Sequence, residues 1–309
     1  MFDSFFEEVE HFDSIYIFRH VFADGDALGS QFGLKEWIKH NYPNKQVYAL
    51  GKDSTMDFFP KMDQVEKINP NSLAIVLDTA NRERIDDQRY GECTKIVKID
   101  HHPIVDEYGD INFAYPKASA TCEVLTKILK QKGEITPLIA TYLYAGLLTD
   151  TQKFSISSVT SETLELAAYL AQFQIDIPSI NQNLFNGDYQ SFLYETYLRS
   201  KVVYEKGVAY VIADEADYQR FNLTFSQAKE KVFVMNHIKE FKIYILFTQN
   251  PEMGGLYNGS IRSKNTVIND LAAQYRGGGH AFASGVKQCT KEEIKEIVEK
   301  CQSRLLQSE

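Results

Sequence analysis

The N-terminal half of the chain alternates short apolar runs with longer segments whose apolar residues recur at helical spacing. The apolar, β-branched runs predict strands at residues 14–19, 46–50, 73–77 and 95–99. The helical spacing predicts helices at residues 27–40, 118–132, 137–150, 160–173 and 178–186. Strands that alternate with helices are typical of a mostly parallel sheet flanked by helices, so we expect an α/β fold.

The second half restarts this alternation after a predicted connecting helix at residues 188–204, which shows no clear cap. The pattern predicts strands at 208–213 and 242–249, a strand ending at 260–262, a strand after 281–285, and helices at 227–235, 266–275 and 291–306. We therefore expect a first domain at residues 1–186, a linker helix at 187–204 and a smaller C-terminal α/β domain at 205–309.

Acidic and histidine residues follow three of the predicted strands. They are His20, Asp24 and Asp26 after the first strand, Asp78 after the third, and Asp100, His101 and His102 after the fourth. The carboxyl ends of parallel strands meet at one edge of a sheet, so we expect these residues to share a crevice. Asp150 ends a predicted helix and is a further candidate.

These residues have the chemistry of a metal site. Four carboxylates close together would repel one another, and two divalent cations would cancel that charge. Carboxylate oxygens with some imidazole suit Mn²⁺ or Mg²⁺, although zinc stays open. Gly25, between Asp24 and Asp26, would let the backbone bend so that the two carboxylates face different metals. Alone, an Asp-Gly-Asp is usually a turn and a His-His pair a surface feature, but their ordered placement after strands favours a site.

The charge and composition of the chain limit the classes of partner that we expect it to bind. The formal net charge is −9, without the basic footprint of a protein that grips long DNA or RNA, so any nucleic-acid substrate should be short. The first residues are acidic and lack the pattern of a secretory signal, and no apolar run is long enough to suggest a membrane span. The four cysteines form no CxxC pair, so we expect reduced thiols and a cytoplasmic protein.

A glycine-rich segment stands out in the second half. Gly277, Gly278 and Gly279 precede His280, and residues 257–287 contain four Arg or Lys and one acid, a charge of +3. Three successive glycines can expose backbone N–H groups in a nest that binds phosphate. The other interpretation is a flexible connector between a helix and a strand, which starts at a C-cap glycine. The residues alone do not separate the two.

Together these motifs resemble the DHH phosphoesterase superfamily, named for the triplet seen here at residues 100–102. The likeness is greatest to the DHH/DHHA1 branch, which contains bacterial oligoribonucleases that also act as phosphatases on 3′-phosphoadenosine 5′-phosphate. It extends to Asp78-Thr, 118–121, Asp150-Thr and 277–280. Ala23, Gln152 and Ser284 stand where proline, glycine and alanine are commoner, and none of these departures removes a ligand.

The resemblance implies a role for each residue. One metal would be held by His20, Asp24 and Asp78, and the other by Asp26, Asp78, His101 and Asp150, with Asp78 bridging. His102 would face the substrate and Asp100 would orient the histidines. Arg262 and His280 of a substrate-binding second domain would hold the nucleotide in a cleft between the domains. A homodimer is also implied.

The implied reaction is hydrolysis of very short oligoribonucleotides, linear dinucleotides such as pApA, and 3′-phosphoadenosine 5′-phosphate. Two metals would activate a water that attacks phosphorus. A pyrophosphatase or polyphosphatase shares the N-terminal chemistry, but the segment 277–280 argues against the pyrophosphatase branch. A catalytically silent nucleotide sensor would not need the complete ligand set, and a processive exonuclease would need a longer basic channel.

Overall fold

The computed structural model describes residues 2–307, and the chain divides into two compact units, Met1–Asn186 and Gly187–Glu309. Each unit has its own sheet and its own buried apolar core. Within residues 2–307, no helix is both long enough and apolar enough to cross a membrane.

The first unit is built on a five-stranded sheet in which every neighbouring pair is parallel. Its strands, in the spatial order β2-β1-β3-β4-β5, are β1 (Ser14–Phe18), β2 (Gln46–Ala49), β3 (Leu73–Leu77), β4 (Lys95–Asp100) and β5 (Ile111–Ala114). The prediction of a mostly parallel sheet flanked by helices is confirmed. β5 was not predicted, because its four residues are too few to show a clear period.

Residues 2–186 of this unit contain six α-helices. They are α1 (Asp3–His11), α2 (Gly25–Asn41), α3 (Thr121–Leu129), α4 (Pro137–Asp150), α5 (Ser161–Ala171) and α6 (Ile177–Phe185). α1 was not predicted, yet it buries Phe5, Phe6 and Val9 in the core. α3 starts three residues later than predicted, because Ala120 is still extended.

Helices α2 and α4 pack almost backbone to backbone. A Cβ atom on Gly29 would lie 2.5 Å from the carbonyl oxygen of Tyr142, a distance that real Cβ atoms do not reach. A Cβ atom on Gly25 would likewise lie 2.4 Å from Oγ1 of Thr149. Glycine is therefore required by this close approach, which places the start of α2 beside the end of α4 at Asp150.

The second unit contains a mixed six-stranded sheet in the order β10-β11-β9-β8-β7-β6. Its strands are β6 (Val203–Glu205), β7 (Val208–Ala213), β8 (Ile243–Gln249), β9 (Tyr257–Ser263), β10 (Gly278–His280) and β11 (Ala283–Cys289). Its helices are α7 (Tyr189–Ser200), α8 (Glu215–Gln219), α9 (Phe225–Lys229), α10 (Asn269–Ala273) and α11 (Lys291–Gln307).

Several predicted helices of this unit are shorter in the structure. The predicted connecting helix 188–204 is α7, which does have a cap: the side chain of Asp188 accepts a hydrogen bond from the backbone N–H of Ser191 at 2.8 Å. The chain then enters β6, so residues 203 and 204 are strand. The predicted helix 227–235 is α9 followed by a 3₁₀ helix at Glu230–Met235.

Candidate metal centre

The candidate site begins where three neighbouring strands end. β1, β3 and β4 lie side by side and run in the same direction. His20 follows β1, Asp78 follows β3 and His101 follows β4, so the sheet carries the three side chains to one edge. Residues that are far apart in the sequence thus become neighbours.

The first group of ligand atoms consists of His20, Asp24 and Asp78, whose atoms lie within 4.8 Å of one another. Nε2 of His20 is 3.3 Å from Oδ2 of Asp78 and 3.8 Å from Oδ2 of Asp24. Nδ1 of His20 lies 2.7 Å from the carbonyl oxygen of Val21. A carbonyl only accepts, so Nδ1 donates, and Nε2, which faces the two carboxylates, is the nitrogen available to a metal once it has lost its proton.

The second group consists of Asp26, His101 and Asp150, also within 4.8 Å. Nε2 of His101 lies 3.2 Å from Oδ2 of Asp150 and 3.5 Å from Oδ1 of Asp78. Nδ1 of His101 donates to the carbonyl oxygen of Ala118 at 3.3 Å, so Nε2 again faces the carboxylates. The two groups match the ligand sets that the resemblance implied, apart from Asp78 in the second.

Asp78 belongs to the first group and also faces the second. Its Oδ2 faces His20 and its Oδ1 faces His101, which is the arrangement that a bridging carboxylate needs. The residue has a left-handed backbone (φ 52°), which is costly for a residue other than glycine, and its side chain is buried. Oγ1 of Thr121 donates a hydrogen bond to Oδ1 of Asp78 at 3.0 Å and helps to hold it.

Asp26 is held by the N-terminus of α3. Its Oδ2 accepts the backbone N–H of Thr121 at 2.6 Å, and its Oδ1 accepts that of Cys122 at 2.9 Å. A helix N-terminus favours a carboxylate, and each oxygen retains a lone pair. Gly25 does not act as the flexible bend that we predicted. It begins α2 behind the Asp24 cap, and close packing on Thr149 requires it to be glycine.

Burial and the closeness of the acids to one another shift the pKa values of the cluster. Burial, followed by the charge of Asp78, raises the pKa of Asp26 to about 7. Burial, followed by the charge of Asp26, raises the pKa of Asp150 to about 8. Burial acts to lower the pKa of His20, but its hydrogen bonds to Asp24 and Asp78 raise the pKa to about 10.

The donor set fits hard divalent cations. The two groups offer carboxylate oxygens and imidazole nitrogens, the ligands that such cations accept. The nearby thiol of Cys122 is fully buried, and burial followed by the charge of Asp26 raises its pKa well above the usual range. The thiol donates toward the carbonyl oxygen of Asp26 at 3.6 Å and belongs to neither group of ligand atoms.

The triplet at 100–102 is organised around Asp100. Its Oδ1 accepts hydrogen bonds from Nδ1 of His102 at 2.8 Å and from the backbone N–H of His102 at 3.2 Å. Burial acts to raise the pKa of Asp100, but the bonds from His102 lower it to about 2. Asp100 thus orients His102 alone, whereas we expected it to orient both histidines; the Ala118 carbonyl orients His101.

Three residues that support the cluster were not predicted to do so from the sequence. They are Arg19, Lys98 and Thr121. Arg19 is buried and donates to Oδ2 of Asp86 at 2.6 Å and to the carbonyl oxygen of His20 at 3.0 Å. Thr121 was noticed only as part of a family motif. The chain carries no local signal for Arg19 or Lys98, because each reads as an ordinary charged residue at a strand.

In the second unit, Arg262 lines a cavity of about 600 Å³ together with Gly277 and Gly278. Other lining residues include Phe233 and Lys287. Burial lowers the pKa of the Arg262 guanidinium, which lies 5.7 Å from the Phe233 ring centroid. A partly desolvated arginine in a concave pocket is a suitable partner for an anion.

The glycine segment is neither the loop nest nor the flexible connector that we considered. Residues 278–280 form the edge strand β10, which pairs with β11 in the register Gly279 to Ser284. The N–H of Gly277 donates to the carbonyl oxygen of Ala272 at 3.1 Å, and the left-handed residue in the turn after α10 is Arg276 rather than glycine. His280 is exposed on β10 and does not line the cavity.

A parallel sheet with this cluster at its carboxyl edge, joined in sequence to a mixed-sheet unit, defines a DHH-type phosphoesterase. The chain belongs to this family: the model of the DHH family N-terminal domain matches residues 14–147, and that of the DHHA1 domain matches residues 207–307. The family resemblance that the motifs suggested is therefore confirmed.

Curated relatives extend over the whole chain. It is 34% identical to the probable bifunctional oligoribonuclease and PAP phosphatase NrnA of Streptococcus mutans, over 98% of this chain and 99% of that protein. It is also 34% identical to the bifunctional oligoribonuclease and PAP phosphatase NrnA of Bacillus subtilis, over 93% of each. A solved structure of an exopolyphosphatase-related protein from Bacteroides fragilis superposes with a TM-score of 0.87 at 22% identity, over 99% of this chain and 97% of that chain, which establishes the fold.

Proposed function

We propose that this protein hydrolyses oligoribonucleotides of about two to five nucleotides, including linear dinucleotides such as pApA, to 5′-mononucleotides, and dephosphorylates 3′-phosphoadenosine 5′-phosphate to AMP. The observation that carries the proposal is the position of Asp78 between two ligand groups, with one oxygen toward each. The names of the relatives supply the substrate class.

One bond change accounts for both activities. In pNpN, water adds to phosphorus and the P–O3′ bond breaks, which leaves two 5′-mononucleotides. In 3′-phosphoadenosine 5′-phosphate the same P–O3′ bond breaks, and the products are AMP and phosphate. In each case the leaving group is a ribose 3′-oxygen, so a single arrangement of residues serves both substrates.

Two divalent cations, which we take to be Mn²⁺ with Mg²⁺ as the alternative, would activate water at neutral pH and offset phosphate charge when bound by these ligands. His102 donates Nδ1–H to Asp100, so its Nε2 is the atom available to a phosphoryl or leaving oxygen. Asp100 holds the ring in this orientation.

We assign substrate binding in the second unit to Arg262, Gly277, Gly278, Gly279 and His280. Arg262 and two of the glycines share one cavity with an excess of basic lining residues, which suits a terminal phosphate. A homodimer and a cytoplasmic location remain predictions, to be tested by light scattering and by fractionation.

A substrate panel with Mn²⁺ tests the proposal. It contains a dinucleotide, a pentanucleotide, longer RNA, 3′-phosphoadenosine 5′-phosphate, pyrophosphate and polyphosphate, each assayed with wild type and with Asp78→Ala. We expect turnover of the short oligonucleotides and of the bisphosphate, and its loss in Asp78→Ala. Faster turnover of pyrophosphate or polyphosphate would replace the proposal, and binding without any turnover would identify a sensor.

A further inference from the structure

Phe22 occupies an unusual position beside the candidate metal centre. It lies in the loop between His20 and Asp24, two residues from each, and its side chain is 96% exposed. Among the exposed large apolar side chains of residues 2–307, none is more exposed. Its backbone is left-handed, with φ at 56°. The chain therefore places an aromatic ring in water, on a strained residue, next to two ligands.

Both features are unfavourable for folding. A left-handed conformation is costly for a residue with a Cβ atom, and glycine or asparagine would adopt it more readily. A fully exposed phenylalanine gains nothing from the hydrophobic effect in the folded protein. Strain of this kind persists where the surroundings hold it in place, and it is concentrated at functional sites.

The surroundings do hold this loop. On one side, the N–H of Val21 donates to the carbonyl oxygen of Arg84 at 2.7 Å, and His20 forms an isolated antiparallel bridge with Ile85. On the other side, Oδ1 of Asp24 caps α2 by accepting the N–H of Ala27 at 3.0 Å. The backbone that carries Phe22 is fixed at both ends, so its ring is presented from a defined point.

The segment at residues 82–85, a short 3₁₀ helix (Arg82–Arg84) followed by Ile85, also holds the loop after His102. Arg82 forms two hydrogen bonds to the carboxylate of Asp106, at 2.8 and 2.9 Å. Between His102 and Asp106, the side chains of Ile104 and Val105 are 55% and 67% exposed. Both loops that flank the ligands thus carry exposed apolar side chains and are anchored to residues 82–85.

We propose that Phe22 is a substrate-binding residue whose ring stacks on a nucleobase of the nucleotide being cleaved. The inference rests on the proposed function, because it takes the phosphate to lie at the metal ligands. The base of that nucleotide is then one ribose away from the phosphate, and Phe22 is two residues from each of two ligands, His20 and Asp24. Aromatic stacking tolerates any base, since every base has a π face, and this suits an enzyme for short RNA of any sequence.

The test compares Phe22→Ala, Phe22→Gly and Phe22→Trp with wild type on pApA and on two analogues, each lacking one of the bases. Glycine accepts the positive φ, so Phe22→Gly should melt no lower than wild type. We expect Phe22→Ala and Phe22→Gly to raise KM for pApA about tenfold with little change in kcat. Phe22→Trp should restore KM, and metal content should not change.

The analogues separate stacking from a structural role. On the analogue that lacks the stacked base, wild type and Phe22→Gly should have the same KM. Equal losses on pApA and on both analogues, or a loss of metal, would overturn the inference in favour of loop support. An unchanged KM for pApA in both truncated variants would also overturn it. Wild-type protein that cleaves neither pApA nor 3′-phosphoadenosine 5′-phosphate would refute the proposed function itself.

Discussion

Nζ of Lys98 lies 3.2 Å from Oδ2 of Asp100, the first residue of the triplet at 100–102, and both side chains are buried. The ammonium group also donates to the carbonyl oxygens of Ala80 at 2.9 Å and Asp106 at 3.0 Å. Lys98 thus joins the segment after Asp78 to the segment after the triplet, and it balances the charge that orients His102. A buried cation that donates to two carbonyl oxygens and forms an ion pair with one carboxylate supports the site.

We predict that Lys98→Met lowers the free energy of unfolding by about 3–5 kcal/mol, because it leaves the Asp100 carboxylate buried without its partner. Urea denaturation of the metal-loaded protein measures this. The double variant Lys98→Met with Asp100→Asn should lose less free energy of unfolding than the sum of the two single losses. Asparagine carries no charge that would be left buried without a partner. Losses that add within about 0.5 kcal/mol would show that the two residues act independently.

Gly25→Ala should damage both stability and activity. The new Cβ atom would lie 2.4 Å from Oγ1 of Thr149, so α2 must move away from α4 and carry Asp24 and Asp26 with it. Overpacking of this kind costs about 1–3 kcal/mol. Gly91→Ala is the matched control, because its Cβ atom would meet nothing within 4 Å. Thermal melts and metal titrations that show equal effects for the two variants would contradict the close-packing argument.

The sequence was informative where strand order decides geometry. His20, Asp78 and His101 could be placed together because parallel strands end at one edge. Asp150 was a weaker prediction, since nothing in a one-dimensional pattern reveals that α2 and α4 approach at their glycines. The support from Lys98 could not be found at all: a lysine in a strand is usually exposed, and only the complete sheet with its covering segments buries this one.

The sequence also did not reveal the backbone conformation of several residues. Gln152 follows the helix that ends at Asp150 and adopts a left-handed conformation (φ 47°), as do Lys153 and Phe154. Glycine adopts such a conformation more readily, and it is the residue that the family resemblance led us to expect at position 152. Likewise β10 contains two consecutive glycines, which have little strand propensity, and it forms because β11 is available to pair with it.

Metal removal should make stability depend on pH in a defined direction. In the metal-free protein the pKa of Asp26 is about 7 and that of Asp150 about 8, against about 3.9 when unfolded. Raised carboxyl pKa values impose no cost below pH 4 and a growing cost as pH rises to 8. The raised pKa of His20, about 10, stabilises the fold below about pH 6.5, and this stabilisation is lost toward pH 10.

Both contributions have the same sign, so the melting temperature of chelated protein should fall as pH increases from 5 to 9. Mn²⁺ requires deprotonated ligands and replaces the missing counter-charge, so its stabilising effect should grow over the same range. Differential scanning fluorimetry with and without metal at each pH gives the comparison. A chelated protein whose melting temperature rises from pH 5 to 9 would contradict a preformed acidic cluster.

The final prediction separates substrate binding from the chemical step. Arg262 lies in the second unit, whereas the candidate metal ligands all lie in the first, so Arg262→Ala should leave metal content unchanged. Contacts remote from the reacting phosphorus act through binding and orientation. A small artificial diester lacks the groups that Arg262 would hold, and its turnover by the variant should stay close to wild type.

For a dinucleotide, kcat/KM of Arg262→Ala should fall by roughly 10- to 100-fold, because a charge-assisted hydrogen bond contributes roughly 1.5–3 kcal/mol. His280→Ala should show the same selectivity if β10 contacts the nucleotide. Arg199→Ala is the matched control: this arginine lies on α7 of the same unit, 3.9 Å from Glu195 and outside the cavity. Equal losses of kcat/KM on the diester and the dinucleotide would show that Arg262 stabilises the fold and does not bind the nucleotide. An unchanged kcat/KM for the dinucleotide would show that the cavity does not bind substrate, because a guanidinium that holds the nucleotide cannot be deleted without a loss of binding energy.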